Sequence, residues 1–356
     1  MIGPLKFVEA PDRAHLPPSP EAFVEVLGEP TAMLIPGRDR SRCRAVVTLL
    51  HGNEPSGLAA LAKWLAERRT PVCDALLIFA STHAALYEGH FEHRMVPGER
   101  DLNRCFREPF GDDRPGRLAR AILECLDRHG PECVVDIHNT SGRSPSFGVV
   151  THENAQHERL VSLFTERLIV TDLTLGSLME TTRDDRPVVT IECGGALDAD
   201  AVPVAAAGLE RLLEREVPRA VEGTGEPLEV YHHPVRVEFA GDCQFTYSDR
   251  PIHEMDVTIP NDIERLNFGS VKPGQPVLWL GSKGLAALSV RDAAGRDVAE
   301  RYFREQDARL ICAAQMKLFM ITTNPAIARS DCLCYASLES EHTRLALDSL
   351  PVRRPG

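Results

Sequence analysis

The sequence predicts an α/β fold, with a mostly parallel mixed sheet flanked by helices and a smaller β-rich domain after it. Short apolar runs alternate with segments of helical spacing from residue 44 to residue 215. Polar residues of a kind that can carry chemistry follow several of the apolar runs directly. Beyond residue 222 the runs become short and β-like, and proline and glycine punctuate them.

The elements follow in chain order from the spacing of apolar residues. Residues 1–40 are rich in proline and carry only a weak pattern. The apolar runs that predict strands are 44–50, 74–80, 133–137, 147–151, 168–172 and 187–192. The segments that predict helices are 55–69, 116–128, 155–167 and 198–215. This alternation indicates a largely parallel sheet, in which ligands bind beyond the carboxyl ends of the strands.

A domain boundary is predicted near residue 222, in the segment EGTGEP. It divides the chain into an α/β domain over 1–222 and a β-rich domain over 223–356. The predicted strands of the second domain are 228–240, 271–280, 309–313, 316–322 and 332–337.

Composition narrows the class of protein. The 356 residues are 43% hydrophobic and carry a net charge of −12, which argues against a nucleic-acid binder. The N-terminus lacks the basic and apolar regions of a secretory signal, and no apolar run approaches the ~20 residues that span a bilayer. We therefore predict a cytoplasmic protein without a membrane partner. The ten cysteines form no CxxC pair and are predicted to be reduced and mostly buried.

Polar residues that can carry chemistry lie at or just past the carboxyl ends of the predicted strands. His51 and Glu54 follow the run RAVVTLL, and taken alone this pair fits the polar end of a buried strand better than a metal site. His138 ends the strand CVVDI, where Asp136 or Asn139 could orient its ring.

Glu192 ends the run VVTI, and a glutamate is rarely buried without a partner. An ion pair with a nearby arginine is the plain interpretation of such a residue. The functional one is a general base of raised pKa beside a metal.

A locally basic segment, HRMVPGERDLNRCF, supplies candidate anion-binding side chains. The planar guanidinium of Arg104 can bind a carboxylate with two parallel hydrogen bonds, and Asn103 offers a neutral donor beside it. In a chain of net charge −12, such a segment indicates an anionic ligand.

The motifs HGNEPSG, RDLNRCF, DIHNTSG and TIECGG occur in this order between residues 51 and 195. Together they resemble the succinylglutamate desuccinylase/aspartoacylase family of the zinc carboxypeptidase superfamily. The resemblance implies a zinc carboxypeptidase-like fold and one Zn²⁺ per chain, with His51, Glu54 and His138 as ligands. It also implies that Glu192 is the general base and acid.

The resemblance further implies how substrate is held. Asn103 and Arg104 match the residues that bind the substrate carboxylate, and Arg94 resembles the arginine that polarises the scissile carbonyl. Arg94 lies nine residues before Asn103, a longer spacing than the family pattern, so Arg100 is an alternative. Arg183, nine residues before Glu192, is expected to bind substrate.

The expected activity is hydrolysis of the amide bond of an N-acyl amino acid or a similar small carboxylate by a zinc-bound water. A carboxypeptidase acting on peptides, an amidohydrolase for another acylated amine and a non-catalytic ligand-binding relative are the alternatives. The acyl group and the amine stay open, as does the oligomeric state, a homo-oligomer included.

Overall fold

The computed structural model describes residues 4–216 and 228–345, and the predicted boundary near residue 222 lies outside them. A ten-stranded mixed sheet dominates the described chain, and two five-stranded sheets form most of the part after residue 228. In spatial order the large sheet contains β1 (Lys6–Glu9), β2 (Thr31–Ile35), β4 (Cys73–Phe79), β3 (Asp39–Thr48), β5 (Val134–Thr140), β8 (Val188–Gly195), β6 (Phe147–Val150), β7 (Arg167–Val170), β9 (Leu228–His232) and β20 (His342–Leu345).

Helices cover both faces of the large sheet. The α-helices are α1 (Pro20–Leu27), α2 (Ser56–Ala66), α3 (Thr82–Ala85), α4 (Arg114–His129), α5 (Ala155–Ser162), α6 (Ala201–Glu214), α7 (Ala299–Tyr302) and α8 (Pro325–Ser330). Short 3-10 helices occupy Arg13–His15, Leu102–Arg104, Leu178–Thr181, Ile263–Leu266, Gly284–Ala287 and Glu339–Glu341. Within the described ranges, no helix combines the length and the apolar character needed to cross a membrane.

The predicted order of strands and helices between residues 44 and 215 is confirmed. Central strands β3, β4, β5 and β8 pair in parallel, whereas β2 and β6 run antiparallel to their neighbours β4 and β8. The sheet is therefore mostly parallel but mixed.

The proline-rich first 40 residues carry more structure than their weak pattern predicts. They form β1, α1 and β2, which extend the sheet beyond β4. Helix α1 has a local cause, because Ser19 caps it through the backbone N–H of Ala22 and Pro20 fits its first turn. Gly28 ends it with φ of 64°, a left-handed conformation that glycine adopts readily.

The amphipathic pattern of α4 accounts for its place on the sheet. Leu118, Ile122 and Leu126 are four residues apart and lie in the buried cluster on one face of the large sheet. Helices α2 and α6 contribute to the buried cluster on the opposite face. The two layers place the core strands between helices, as expected for a parallel sheet.

The part after residue 228 has its own core and is also joined to the large sheet. Its strands are β10 (Val235–Phe239), β11 (Phe245–Tyr247), β12 (Val257–Ile259), β13 (Ser270–Val271), β14 (Pro276–Leu280), β15 (Leu288–Arg291), β16 (Phe303–Gln306), β17 (Arg309–Cys312), β18 (Met316–Phe319) and β19 (Cys334–Leu338). Strands β9 and β20 instead pair at the edge of the large sheet, β9 in parallel with β7.

All ten cysteines are free and buried, as predicted. Burial raises the pKa of several of these thiols, which keeps them protonated.

Candidate metal centre

His51, Glu54 and His138 converge at the carboxyl edge of the central strands. The chain leaves β3 at Leu49, whose φ of 60° is unusual for a leucine and turns the backbone over the sheet edge. His138 lies within β5, the strand next to β3. The three residues are buried, and one ligand atom from each lies within 4.8 Å of the others. They form a set that can hold a metal ion.

Glu54 joins the two histidines. Its Oε1 lies 2.8 Å from Nδ1 of His51, and its Oε2 lies 2.7 Å from Nδ1 of His138. Burial penalises the charge on Glu54, but the two rings outweigh that penalty and hold the pKa of the carboxyl below its usual range. Glu54 is therefore an ionised acceptor between two nitrogen donors.

Each histidine ring meets a second carboxylate through its other nitrogen. Nε2 of His51 lies 3.0 Å from Oδ1 of Asp101, and Nε2 of His138 lies 2.8 Å from Oδ2 of Asp136. Burial disfavours a charged His138, yet Asp136 and Glu54 outweigh it and raise the pKa of the ring. A metal ion at Nδ1 would replace a proton, and the carboxylate at Nε2 would keep the ring oriented.

Of the two residues predicted to orient the ring of His138, Asp136 is the one that contacts it. Asn139, the other candidate, instead fixes the surrounding backbone. Its Nδ2 donates to Oγ of Ser56 and to the carbonyl of Gly194, and its backbone N–H donates to Oε2 of Glu54. Asn139 thus links the start of α2 to β8.

Glycine at position 57 allows α2 to start close to the metal centre. A Cβ atom there would lie 2.3 Å from Oγ1 of Thr48 and 2.7 Å from Cγ2 of Ile137. The last glycine of HGNEPSG is therefore required by packing between α2, β3 and β5.

Glu192 lies beside the histidine pair. It is the register partner of His138 on the neighbouring strand β8, and it is only 8% exposed. Its Oε2 has no hydrogen-bond partner among the described residues, and burial raises the pKa of this carboxyl to about 7. A structural glutamate would be expected to form an ion pair with a nearby arginine. Neither Arg183 nor Arg186 is such a partner of Glu192, because both pair with Asp127.

Arg94 reaches the same centre. Its guanidinium donates to Oε1 of Glu54 at 3.3 Å and to Oδ2 of Asp101 at 3.0 Å. Arg100, the alternative, pairs with the exposed Asp113 and is not among the described residues that line the cavity beside His51, Glu54 and His138. Geometry therefore selects Arg94 as the arginine at the metal centre.

A cavity opens from the metal centre, and both Asn103 and Arg104 line it. Asn103 Oδ1 accepts from the backbone N–H of Leu178, and Nη1 of Arg104 donates to the Asn103 carbonyl. Arg183 lies outside this cavity, half exposed and paired with Asp127 and Asp185. The structure thus brings together every expected site residue except Arg183.

The part of the chain after residue 228 completes the cavity. Tyr335 lines it, together with Phe319, Met320, Ile327 and Asp331. Sequence reasoning could not find these residues, because they belong to no motif. Asp101 was also missed as a partner of His51, although its place at the start of DLNR beside two site residues was a usable signal.

Residues 45–214 match a family model described as the succinylglutamate desuccinylase/aspartoacylase catalytic domain. A search of curated protein sequences gives no match.

Solved structures of similar fold include a succinylglutamate desuccinylase from Vibrio parahaemolyticus, 14% identical, with a TM-score of 0.56 and 87% of each chain covered. Murine aminoacylase 3 is 18% identical, with a TM-score of 0.54, and the match covers 87% of this chain and 98% of that one. A product-bound ectoine utilization protein from Ruegeria pomeroyi is 15% identical, with a TM-score of 0.53, over 86% and 87% of the two chains.

At these sequence identities, the solved structures support the fold alone. The assignment to a family rests on the match to the catalytic-domain model, which is named for two hydrolases. By this match, residues 45–214 are identified as a catalytic domain of the succinylglutamate desuccinylase/aspartoacylase family.

Proposed function

We propose that the protein is a zinc-dependent amidohydrolase that cleaves the amide bond of an N-acyl amino acid or a similar small carboxylate. One observation carries the proposal: His51, Glu54 and His138 converge beside the unpaired carboxylate oxygen of Glu192. The same cavity contains Arg104, which suits a substrate carboxylate.

The residues of the centre fit zinc. Two imidazole nitrogens and one carboxylate form a ligand set of zinc hydrolases and leave a fourth position open. Calcium and magnesium prefer oxygen ligands, so the two histidines argue against them. Asp101 and Asp136 at the outer nitrogens are the partners that zinc-bound histidines usually have. When bound, zinc would lower the pKa of a water molecule and polarise a carbonyl oxygen.

Glu192 is assigned the proton transfers. Its buried carboxylate accepts a proton from the attacking water and returns it to the nitrogen of the leaving amine. The free Oε2 supports this role, because a carboxylate oxygen occupied by a structural partner could not take the proton.

We assign to Arg94 the stabilisation of the negative charge that develops on the acyl oxygen. Its guanidinium already lies against Glu54 and Asp101 and is therefore fixed before substrate arrives. A positioned donor of this kind lowers an activation barrier by about 3–4 kcal/mol.

We assign to Arg104 and Asn103 the binding of the substrate carboxylate. Because Oδ1 of Asn103 is occupied by Leu178, its amide N–H group is what remains to meet a carboxylate. Together with the guanidinium of Arg104, it would hold the amide bond over the metal centre.

The proposal is tested by removing metal with a chelator, reloading with zinc and measuring amine release. N-acetyl and N-succinyl amino acids are compared with unacylated dipeptides. We expect zinc to restore hydrolysis of N-acyl substrates and to leave dipeptides the poorer substrates. Preferred cleavage of dipeptides by the zinc-loaded protein, or no hydrolysis of either class, would contradict the proposal.

A further inference from the structure

The floor of the cavity becomes apolar with distance from the metal centre. Thr190 lies two residues before Glu192 on β8 and so shares its face of the sheet. Register places Val149 opposite Thr190, and Ile169 opposite Val149. All three line the cavity, and they form a row that leads from the metal centre across β6 to β7.

The opposite wall comes from the part of the chain after residue 228. Phe319 and Tyr335 are stacked with ring centroids 5.9 Å apart, and both belong to a buried cluster that also contains Ile169. Leu173 and Met320 pack against this cluster and line the cavity. The end of the cavity away from the metal is therefore enclosed by aliphatic and aromatic side chains.

The carboxylate site lies next to this apolar end. The backbone N–H of Phe106 donates to the carbonyl of Gly176 at 2.9 Å, which ties the DLNR segment to the loop after β7. A Cβ atom on Gly176 would lie 2.7 Å from the carbonyl oxygen of Arg104, so the two backbones are in contact. Leu173 and Leu175 of the same loop line the cavity. A carboxylate bound by Arg104 would therefore bring the side chain of its amino acid near these leucines.

The charges of the cavity suit one carboxylate and not two. Among the described residues that line the cavity, Arg94 and Arg104 are the only ones with a lysine or arginine side chain. Two carboxylates, those of Asp101 and Glu54, already engage Arg94. Asp331 on the wall pairs with Arg236 at 2.6 Å and adds an acidic group. A second substrate carboxylate would therefore enter an apolar region without a free cation.

We propose that the enzyme selects N-acyl derivatives of monocarboxylic amino acids that carry an aliphatic or aromatic side chain. This inference rests on the proposed function and assigns Leu173 and Leu175 to the contact with that side chain. Burial of apolar surface stabilises such a substrate, whereas an aspartate or glutamate side chain would lose its hydration without a compensating partner.

The zinc-loaded enzyme tests the inference with N-acetyl-L-leucine, N-acetylglycine and N-acetyl-L-aspartate. We expect kcat/KM for the leucine derivative to exceed that for each of the other two by roughly tenfold or more. Equal or better hydrolysis of the aspartate derivative would overturn the inference and leave the proposed function intact. Loss of zinc-dependent hydrolysis for all three would contradict the proposed function, and this inference with it.

Two variants test the assigned contact. Leu173→Ser and Leu175→Ser should each lower kcat/KM for N-acetyl-L-leucine about tenfold more than for N-acetylglycine. Leu197→Ser is the matched control, because Leu197 is fully exposed and lies outside the metal cavity. Equal losses on both substrates in the Leu173 and Leu175 variants would show that the two leucines do not contact the side chain.

Discussion

Asp101 Oδ1 lies 3.0 Å from Nε2 of His51, and the two residues are 50 positions apart in the chain. Asp101 is itself held by the guanidinium of Arg94 and caps the short helix that carries Asn103. The carboxylate of Asp101 therefore connects His51 to the segment that we propose binds the carboxylate of the substrate.

Replacing that carboxylate should weaken the metal site without removing a ligand. Asp101→Asn keeps the helix cap but loses the charge that orients His51, and loss of such a partner costs about 10–100-fold in metal affinity. Competition with a chelator measures the change. Asp112→Asn, an exposed aspartate nearby, is the control, and equal zinc affinity in the two variants would refute the role of Asp101.

Removing a ligand should be more severe. His138→Ala deletes one of the three proposed ligands, and Glu54 and Asp136 each lose the ring nitrogen that they contact. We expect zinc content well below one equivalent by elemental analysis. His253→Ala, which changes an exposed histidine, should retain full zinc, and full zinc in the His138 variant would exclude this residue as a ligand.

A substitution of Glu192 should lower the rate of hydrolysis without changing metal binding. Glu192→Gln keeps the size of the side chain but cannot take a proton, so hydrolysis should fall roughly 10²–10⁴-fold. Zinc content should be unchanged, because Glu192 lies outside the ligand set. Near-native turnover at full zinc occupancy would show that another group is the base.

Arg104 should act on binding of the carboxylate. Arg104→Lys retains the charge but loses the planar pair of donors, so KM for N-acyl amino acids should rise about tenfold. The corresponding N-acyl amino acid amides lack the carboxylate and should show little change. Arg107→Lys, at an exposed position, serves as the control. An equal rise of KM for acids and amides would contradict the assignment.

A buried histidine away from the metal centre should make stability depend on pH. Burial lowers the pKa of His157 to about 4, against about 6.5 in an unfolded chain. Between these values the unfolded state binds the proton more tightly, so the free energy of unfolding falls as pH drops from about 6.5 to 4. Protonation of this residue lowers the free energy of unfolding by at most roughly 3 kcal/mol.

Denaturant unfolding at several pH values between 4 and 7 measures this effect. His157→Gln should show a shallower dependence than the native chain, since glutamine does not titrate. His253→Gln, at an exposed position, should follow the native curve. Parallel curves for the native chain and the His157 variant would assign the acid sensitivity elsewhere.

Sequence alone predicted the central architecture and the polar residues that meet at the edge of the sheet, because both depend on local patterns. The spacing of apolar residues in α4 and the apolar run of β5 follow from helix and strand geometry. His51 and His138 end or closely follow such runs, and parallel strands bring their carboxyl ends to one edge.

Only the tertiary structure decided what surrounds these residues. The first 40 residues join the sheet through β2, whose partner β4 lies about 40 positions later, and pairing at that distance leaves no local pattern. Arg183 matches a motif spacing, yet the fold places it against Asp127 at the surface. Asp101 meets His51, and Tyr335 closes the cavity, through contacts between segments distant in sequence. Such contacts depend on packing and charge between elements, which spacing along one chain does not encode.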